Sequence, residues 1–117
     1  MEALFDRNGY TCAWMKDDTL FDLAGRVVAY IDQTQVFGRQ GRHFGRLVEG
    51  NVRDHHGDVV AWTRKSHEGP LKPVAAIPPI PPLTEIVPIR PIFAIPPIPP
   101  INSLNWSRMT WPEFIAQ

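Results

Sequence analysis

Four consecutive blocks of 16 residues fill the first half of the chain. They read LFDRNGYTCAWMKDDT, LFDLAGRVVAYIDQTQ, VFGRQGRHFGRLVEGN and VRDHHGDVVAWTRKSH, and run without gaps from Leu4 to His67. A unit this short cannot bury its own apolar face. It has to pack against its copies, so the repeat dictates an architecture of stacked or ring-closed units.

The columns of the repeat define the unit. Its first two positions are apolar apart from Arg53: Leu4-Phe5, Leu20-Phe21, Val36-Phe37 and Val52-Arg53. Asp6, Asp22 and Asp54 come next, with Gly38 in the third copy, and three residues later every copy has a glycine: Gly9, Gly25, Gly41 and Gly57. Asp accepts hydrogen bonds from the backbone just ahead of it and Gly supplies a left-handed dihedral, so this spacing predicts a hairpin turn of the type I plus bulge kind. These aspartates are read as turn residues, not catalytic carboxylates.

A second strand comes after each glycine: Thr11–Met15, Val27–Ile31, His43–Leu47 and Val59–Thr63. Its middle column is small in every copy (Ala13, Ala29, Gly45, Ala61), which predicts close approach around a common axis. The next column, Trp14, Tyr30, Arg46 and Trp62, points to the opposite face because strand side chains alternate. Lys16–Thr19 and Asp32–Gln35 read as polar connections between units. The expected fold is all-β: four tandem 16-residue β-hairpins closed around a pseudo-fourfold axis. Closure removes the exposed edges that an open array would leave.

Residues 70–100 contain 12 of the 13 prolines. They also carry an aliphatic residue at every third position: Leu71, Val74, Ile77, Ile80, Leu83, Ile86, Ile89, Ile92, Ile95, Ile98, Ile101 and Leu104. AIPPIPP occurs at 76–82 and again at 94–100. Polyproline II has three residues per turn, so the spacing predicts an extended polyproline II-like segment with one apolar stripe. A stripe this long is expected to be buried, and three arrangements would use it: packing between subunits, wrapping its own domain, or serving as a recruiting tail. Assembly is the preferred reading, with Ile77 to Ile101 as the assembly surface. The PxxP spacings also match the minimal ligand of proline-recognition domains, but any proline-dense stretch would do so. The expected divisions are 1–67 for the hairpin domain, 68–104 for the extended segment and 105–117 for an aromatic anchor. In that anchor Thr110, Pro112 and Glu113 spell the start of a short helix.

Formal net charge is zero, which argues against nucleic-acid binding through a positive field. No apolar run is long enough to span a bilayer, and the first residues lack the pattern of a secretory signal. The single cysteine, Cys12, precludes an internal disulfide and suits a reducing, cytoplasmic setting. Cys12 shares its column with Val28, Phe44 and Val60, and so reads as a packing residue. His55 and His56, flanked by Asp54 and Asp58, with His67 at the end of the same repeat, contain metal-ligand chemistry. Adjacent histidines in a turn point apart, however, so no metal site is assigned. No nucleophile elbow or phosphate loop is present, and neither a catalytic residue nor a cofactor is expected. The third repeat departs most from its copies. Arg39, Arg42, His43 and Arg46 cluster there as a candidate anion-binding or small-molecule site.

The units LFDRNG, LFDLAG, VFGRQG and VRDHHG, with second strands AWM, AYI, GRL and AWT, resemble the small bacterial domain known as the four-fold beta flower. The proline-rich continuation and the ending NWSRMTWPEFI are similar to segments found C-terminal to that domain. The resemblance implies the fold and brings no catalytic residues. The functional expectation is a non-enzymatic structural or interaction module whose partner is a further copy or another protein. A small-molecule or anion-binding domain is the alternative.

Overall fold

In the computed structural model, which describes residues 1–117, each repeat contributes two strands. These are β1 (Glu2–Phe5), β2 (Thr11–Lys16), β3 (Thr19–Phe21), β4 (Val27–Asp32), β5 (Gln35–Gly38), β6 (His43–Val48), β7 (Asn51–Arg53) and β8 (Val59–Trp62). Every neighbouring pair is antiparallel and β8 returns to β1, closing an eight-stranded barrel of four hairpins.

The turn chemistry explains the hairpins. Asp6 Oδ1 accepts from the backbone N–H groups of Asn8 and Tyr10, and the N–H of Gly9 donates to the Asp6 carbonyl. Asp22 and Asp54 repeat this pattern in their own turns. Beside each turn the register slips by one residue, at Leu4/Phe5, Leu20/Phe21, Val36/Phe37 and Val52/Arg53. That is the bulge the Asp-x-x-Gly spacing predicts. Repeat three keeps the turn without its Asp. A Cβ on Gly38 would sit 2.3 Å from the ring of Phe44, the bulkiest member of the column of Cys12, Val28 and Val60.

Strand alternation sorts the side chains into two layers. Leu4, Leu20, Val36 and Val52 fill the barrel interior with the small column Ala13, Ala29 and Ala61. Gly45 completes that column; a Cβ there would lie 2.0 Å from the Arg53 carbonyl and 3.1 Å from Phe114. The interior is finished by the short helix α1 (Trp111–Ile115), whose Trp111 and Phe114 belong to the same core. Thr110 caps α1, and Glu113 answers as a capping box. The second layer lies outside the strands: Phe5, Phe21, Trp14, Tyr30, Val27 and Trp62 form a separate buried cluster.

What buries that outer layer is the proline-rich segment. Residues 70–104 form no strand or helix, yet they lie against the barrel. The N–H groups of Ala76, Glu85, Ala94 and Ser103 donate to the carbonyls of Gly9, Gly25, Gly41 and Gly57 at 2.8–3.1 Å. Donors spaced nine residues apart thus meet acceptors spaced sixteen apart, all the way round. Ala75, Phe93 and Trp106 pack inward on the aromatic layer, and Phe93 stacks on Phe37 with centroids 4.2 Å apart. The segment is a collar on its own domain.

The segment wraps its own domain, one of the expected arrangements, yet that wrapping does not bury the stripe. From Leu71 to Ile101 every third residue is 90–98% exposed, and Leu104 is 70% exposed. Only one face of the collar meets the barrel. The intervening residues take that face, so the aliphatic face is turned to solvent.

Candidate functional site

Two features stand out as surfaces for interaction: the outer face of the collar, and the quarter of the barrel where repeats three and four depart from the other two.

At the collar, the left-handed glycines act as docking points. Gly9, Gly25, Gly41 and Gly57 have φ between 84° and 91°. A Cβ on them would lie 2.1–2.6 Å from the carbonyl oxygens of Val74, Leu83, Ile92 and Ile101. The glycine is therefore required twice, by the turn and by the collar that passes over it. The carbonyls at these turns accept the collar's N–H groups, a role the repeat pattern alone did not disclose. A signal was present: Pro73, Pro82, Pro91 and Pro100 recur every nine residues, each one residue ahead of a docking carbonyl.

The divergent quarter is occupied by the end of the collar. Arg53 is buried in a position where the other copies have Phe. Its Nη1 donates to the Gly57 carbonyl at 2.6 Å and the Ser103 carbonyl at 2.8 Å. Burial pulls its pKa below the ordinary arginine value, and the charge of Arg46 adds to the effect. Arg46 Nη2 donates to Asn102 Oδ1 at 2.5 Å and to the Pro100 carbonyl at 3.3 Å. Ser103 Oγ donates to Asp58 Oδ1, and Ser107 Oγ donates to Asp54 Oδ2. Beyond the collar, the N–H of Val59 donates to the Asn105 carbonyl and that of Ser107 to the Val59 carbonyl. In this quarter Arg46, Arg53 and Ser103 add side-chain bonds to the backbone bond between Ser103 and Gly57.

The four residues singled out in repeat three take separate roles. Arg46 lies under Pro100 and Asn102, near the Gly57 turn. Arg39 reaches the other way: its Nη1 pairs with Glu85 Oε1 at 2.8 Å and donates to the Val27 carbonyl, near the Gly25 turn on the opposite side of the ring. The backbone N–H of Val27 also donates to Glu85 Oε1; chiefly this bond, then the Arg39 side chain, holds the Glu85 carboxyl below its ordinary range. His43 Nδ1 faces His55 Nε2 at 3.0 Å while His43 Nε2 contacts Gln35 Oε1 at 2.7 Å. Burial, then the charges of His55 and Arg46, lowers the His43 pKa. Only Arg39 and Arg42 share a cleft, of about 370 Å³, which Gln40, Phe44 and Gln117 also line.

Cys12, Asp54, Asp58 and His55, also singled out along the chain, have structural partners. Cys12 Sγ contacts the Leu4 carbonyl at 3.5 Å; burial, then the charge of Asp6, pushes its thiol well above the ordinary range. A thiol held protonated is a poor nucleophile. Asp54 and Asp58 are engaged by Ser107 and Ser103, and His55 by His43, so the histidine-aspartate turn is tied into the latch of the collar. No group of three His, Cys, Asp or Glu side chains is placed to hold a metal ion. No helix is long and apolar enough to cross a membrane.

A closed ring of four hairpins, ringed by its own proline-rich continuation and plugged by its C-terminal helix, defines the class of this protein. The chain belongs to the 4-fold beta flower protein family, whose model matches residues 2–115 and so takes in the collar and helix as well as the barrel. No curated protein and no solved structure matches the chain.

Proposed function

We propose that this protein is a non-enzymatic interaction module that associates with further copies of itself through the aliphatic face of the collar. One observation carries the reading: eleven consecutive third positions, Leu71 to Ile101, are at least 90% exposed. At roughly 25 cal/mol per Å², burial of such a side chain at ~1.5–3 kcal/mol corresponds to ~60–120 Å² of apolar surface. The eleven positions together then expose about 660–1,300 Å². The largest apolar patch on an ordinary monomer is about 300–600 Å², which the stripe exceeds.

The chemistry of the stripe favours a like partner in water over a lipid surface. Prolines beside the aliphatics have no N–H to donate. The carbonyls of a segment without strand or helix need hydration, which deep insertion in hydrocarbon would deny them. The basic face and interfacial aromatics of a membrane-surface element are missing: within the collar only Lys72 and Arg90 are basic, and Arg90 donates to the carbonyls of Ile31 and Asp18. A polyproline II course fits the dimensions. The 35 residues from 70 to 104 at about 3.1 Å each extend about 110 Å, close to the roughly 115 Å perimeter of a body 36–37 Å across. The single cysteine, with no second one to pair with, is consistent with a cytoplasmic home.

Sedimentation of the full chain tests the reading. Self-association that is abolished in an Ile80→Ser, Ile89→Ser, Ile98→Ser variant supports it; a wild-type chain that remains monomeric at high micromolar concentration removes it. A second reading, a small anionic ligand held in the cleft of Arg39 and Arg42, is favoured by Arg42, which forms no salt bridge. Screening of small carboxylates and phosphates by calorimetry, with Arg42→Ala as control, tests it. Binding that survives the substitution places the ligand elsewhere.

A further inference from the structure

The collar is divided by its own docking points. The carbonyls of Val74, Leu83, Ile92 and Ile101 crowd the four turn glycines, and the next N–H but one bonds to each turn. Docking is through the backbone alone, so the side chains of Val74, Leu83, Ile92 and Ile101 stay 90–96% exposed, and each interval between them adds two exposed isoleucines: Ile77 and Ile80, then Ile86 and Ile89, then Ile95 and Ile98. The fourth interval differs. It lies between the Gly57 and Gly9 turns, where the collar begins and ends, and has Leu71 and the less exposed Leu104.

The molecule is a disc with extents of 37 × 36 × 21 Å, and the collar encircles its barrel. A disc lying beside a second disc of its own size covers one interval of its rim and leaves the others open. We infer that each molecule has three equivalent apolar edges and meets other copies through all of them, so that association continues past a dimer. This inference rests on self-association through the collar, as proposed above, and adds its valency. A closed pair with a two-fold axis would use one edge on each chain and leave two exposed.

Area sets the strength of each contact. The two isoleucines of an interval and the docking residues that flank it supply about 240–480 Å² at ~60–120 Å² apiece, well short of the ~800 Å² per partner of a stable interface. A single edge-to-edge contact is therefore weak. Several edges engaged at once reinforce one another by effective concentration, so growth should be steeply concentration-dependent.

Sedimentation velocity over a wide concentration range tests the valency with three full-length proteins: wild type, Ile86→Ser/Ile89→Ser, and that pair combined with Ile77→Ser/Ile80→Ser. All four positions are at least 92% exposed, so thermal melts should coincide and report an unchanged fold. The expected result is wild-type species that grow beyond a dimer as concentration rises, with the four-site variant stopping at a dimer. A wild type that stops at a dimer overturns the threefold valency while leaving self-association intact. A wild type that is monomeric throughout overturns both.

Discussion

Replacing Gly41 by Ala should be among the most damaging single substitutions in the turns of this molecule. Gly41 has a φ of 91°, and its Cβ would meet the Ile92 carbonyl oxygen at 2.2 Å. Holding an L-residue in the left-handed region costs about 1–2 kcal/mol. Moving the collar off the turn breaks the 2.8 Å bond from the Ala94 N–H to the Gly41 carbonyl, worth about 1 kcal/mol. It also loosens the stack of Phe93 on Phe37, worth about 0.5–1.5 kcal/mol beyond its area. The loss should come to about 3 kcal/mol in urea unfolding of the full chain. An Asn variant separates the two causes. Asn tolerates the left-handed conformation, but its Cβ meets the same carbonyl. If the collar contact matters, Gly41→Asn should approach Gly41→Ala in cost. A Gly41→Asn protein within about 0.5 kcal/mol of wild type would refute the docking role and leave only the turn.

Other substitutions test the two faces of the collar and the latch. Ile89→Ser, at 98% exposure, should leave monomer stability within about 0.5 kcal/mol, whereas Phe93→Ala should cost about 3 kcal/mol; chemical denaturation checks both, and equal effects would contradict the orientation. Arg53→Ala strands the Gly57 and Ser103 carbonyls and removes a buried side chain, so unfolding should show a loss of about 2–4 kcal/mol. His43 has a folded pKa below its ordinary value of about 6.5. The unfolded chain therefore binds the extra proton first, and stability present above about pH 6.5 is lost as pH falls below it. Melting temperatures measured from pH 7.5 to 5 should fall, and the slope should flatten in His43→Gln. Strands β1 and β8 share a single paired position, Phe5 with Trp62, while the other strand pairs share three or four. Amide exchange should therefore be faster in β1 than in β4.

The barrel was legible along the chain because its information is local and repeated. An Asp-x-x-Gly turn makes its own hydrogen bonds, the glycine brings a bulge with it, and alternation assigns each column to one face. The small column Ala13, Ala29, Gly45 and Ala61 announced the crowded interior, and Thr110 with Glu113 announced the helix cap. The three-residue spacing of the aliphatics was equally legible as a stripe on an extended chain. The direction in which the stripe faces was settled by packing in three dimensions. A polyproline-like segment satisfies no hydrogen bonds of its own, so its orientation depends on acceptors elsewhere, and those are the carbonyls of turns 46–67 residues away. The same holds for the third repeat. Arg39 and Arg46 look like one cluster along the chain, yet Glu85 draws one side chain toward the Gly25 turn and Asn102 draws the other toward the Gly57 turn. Side-chain partners supplied by a distant segment leave no local pattern, and only the closed ring with its collar in place puts them together.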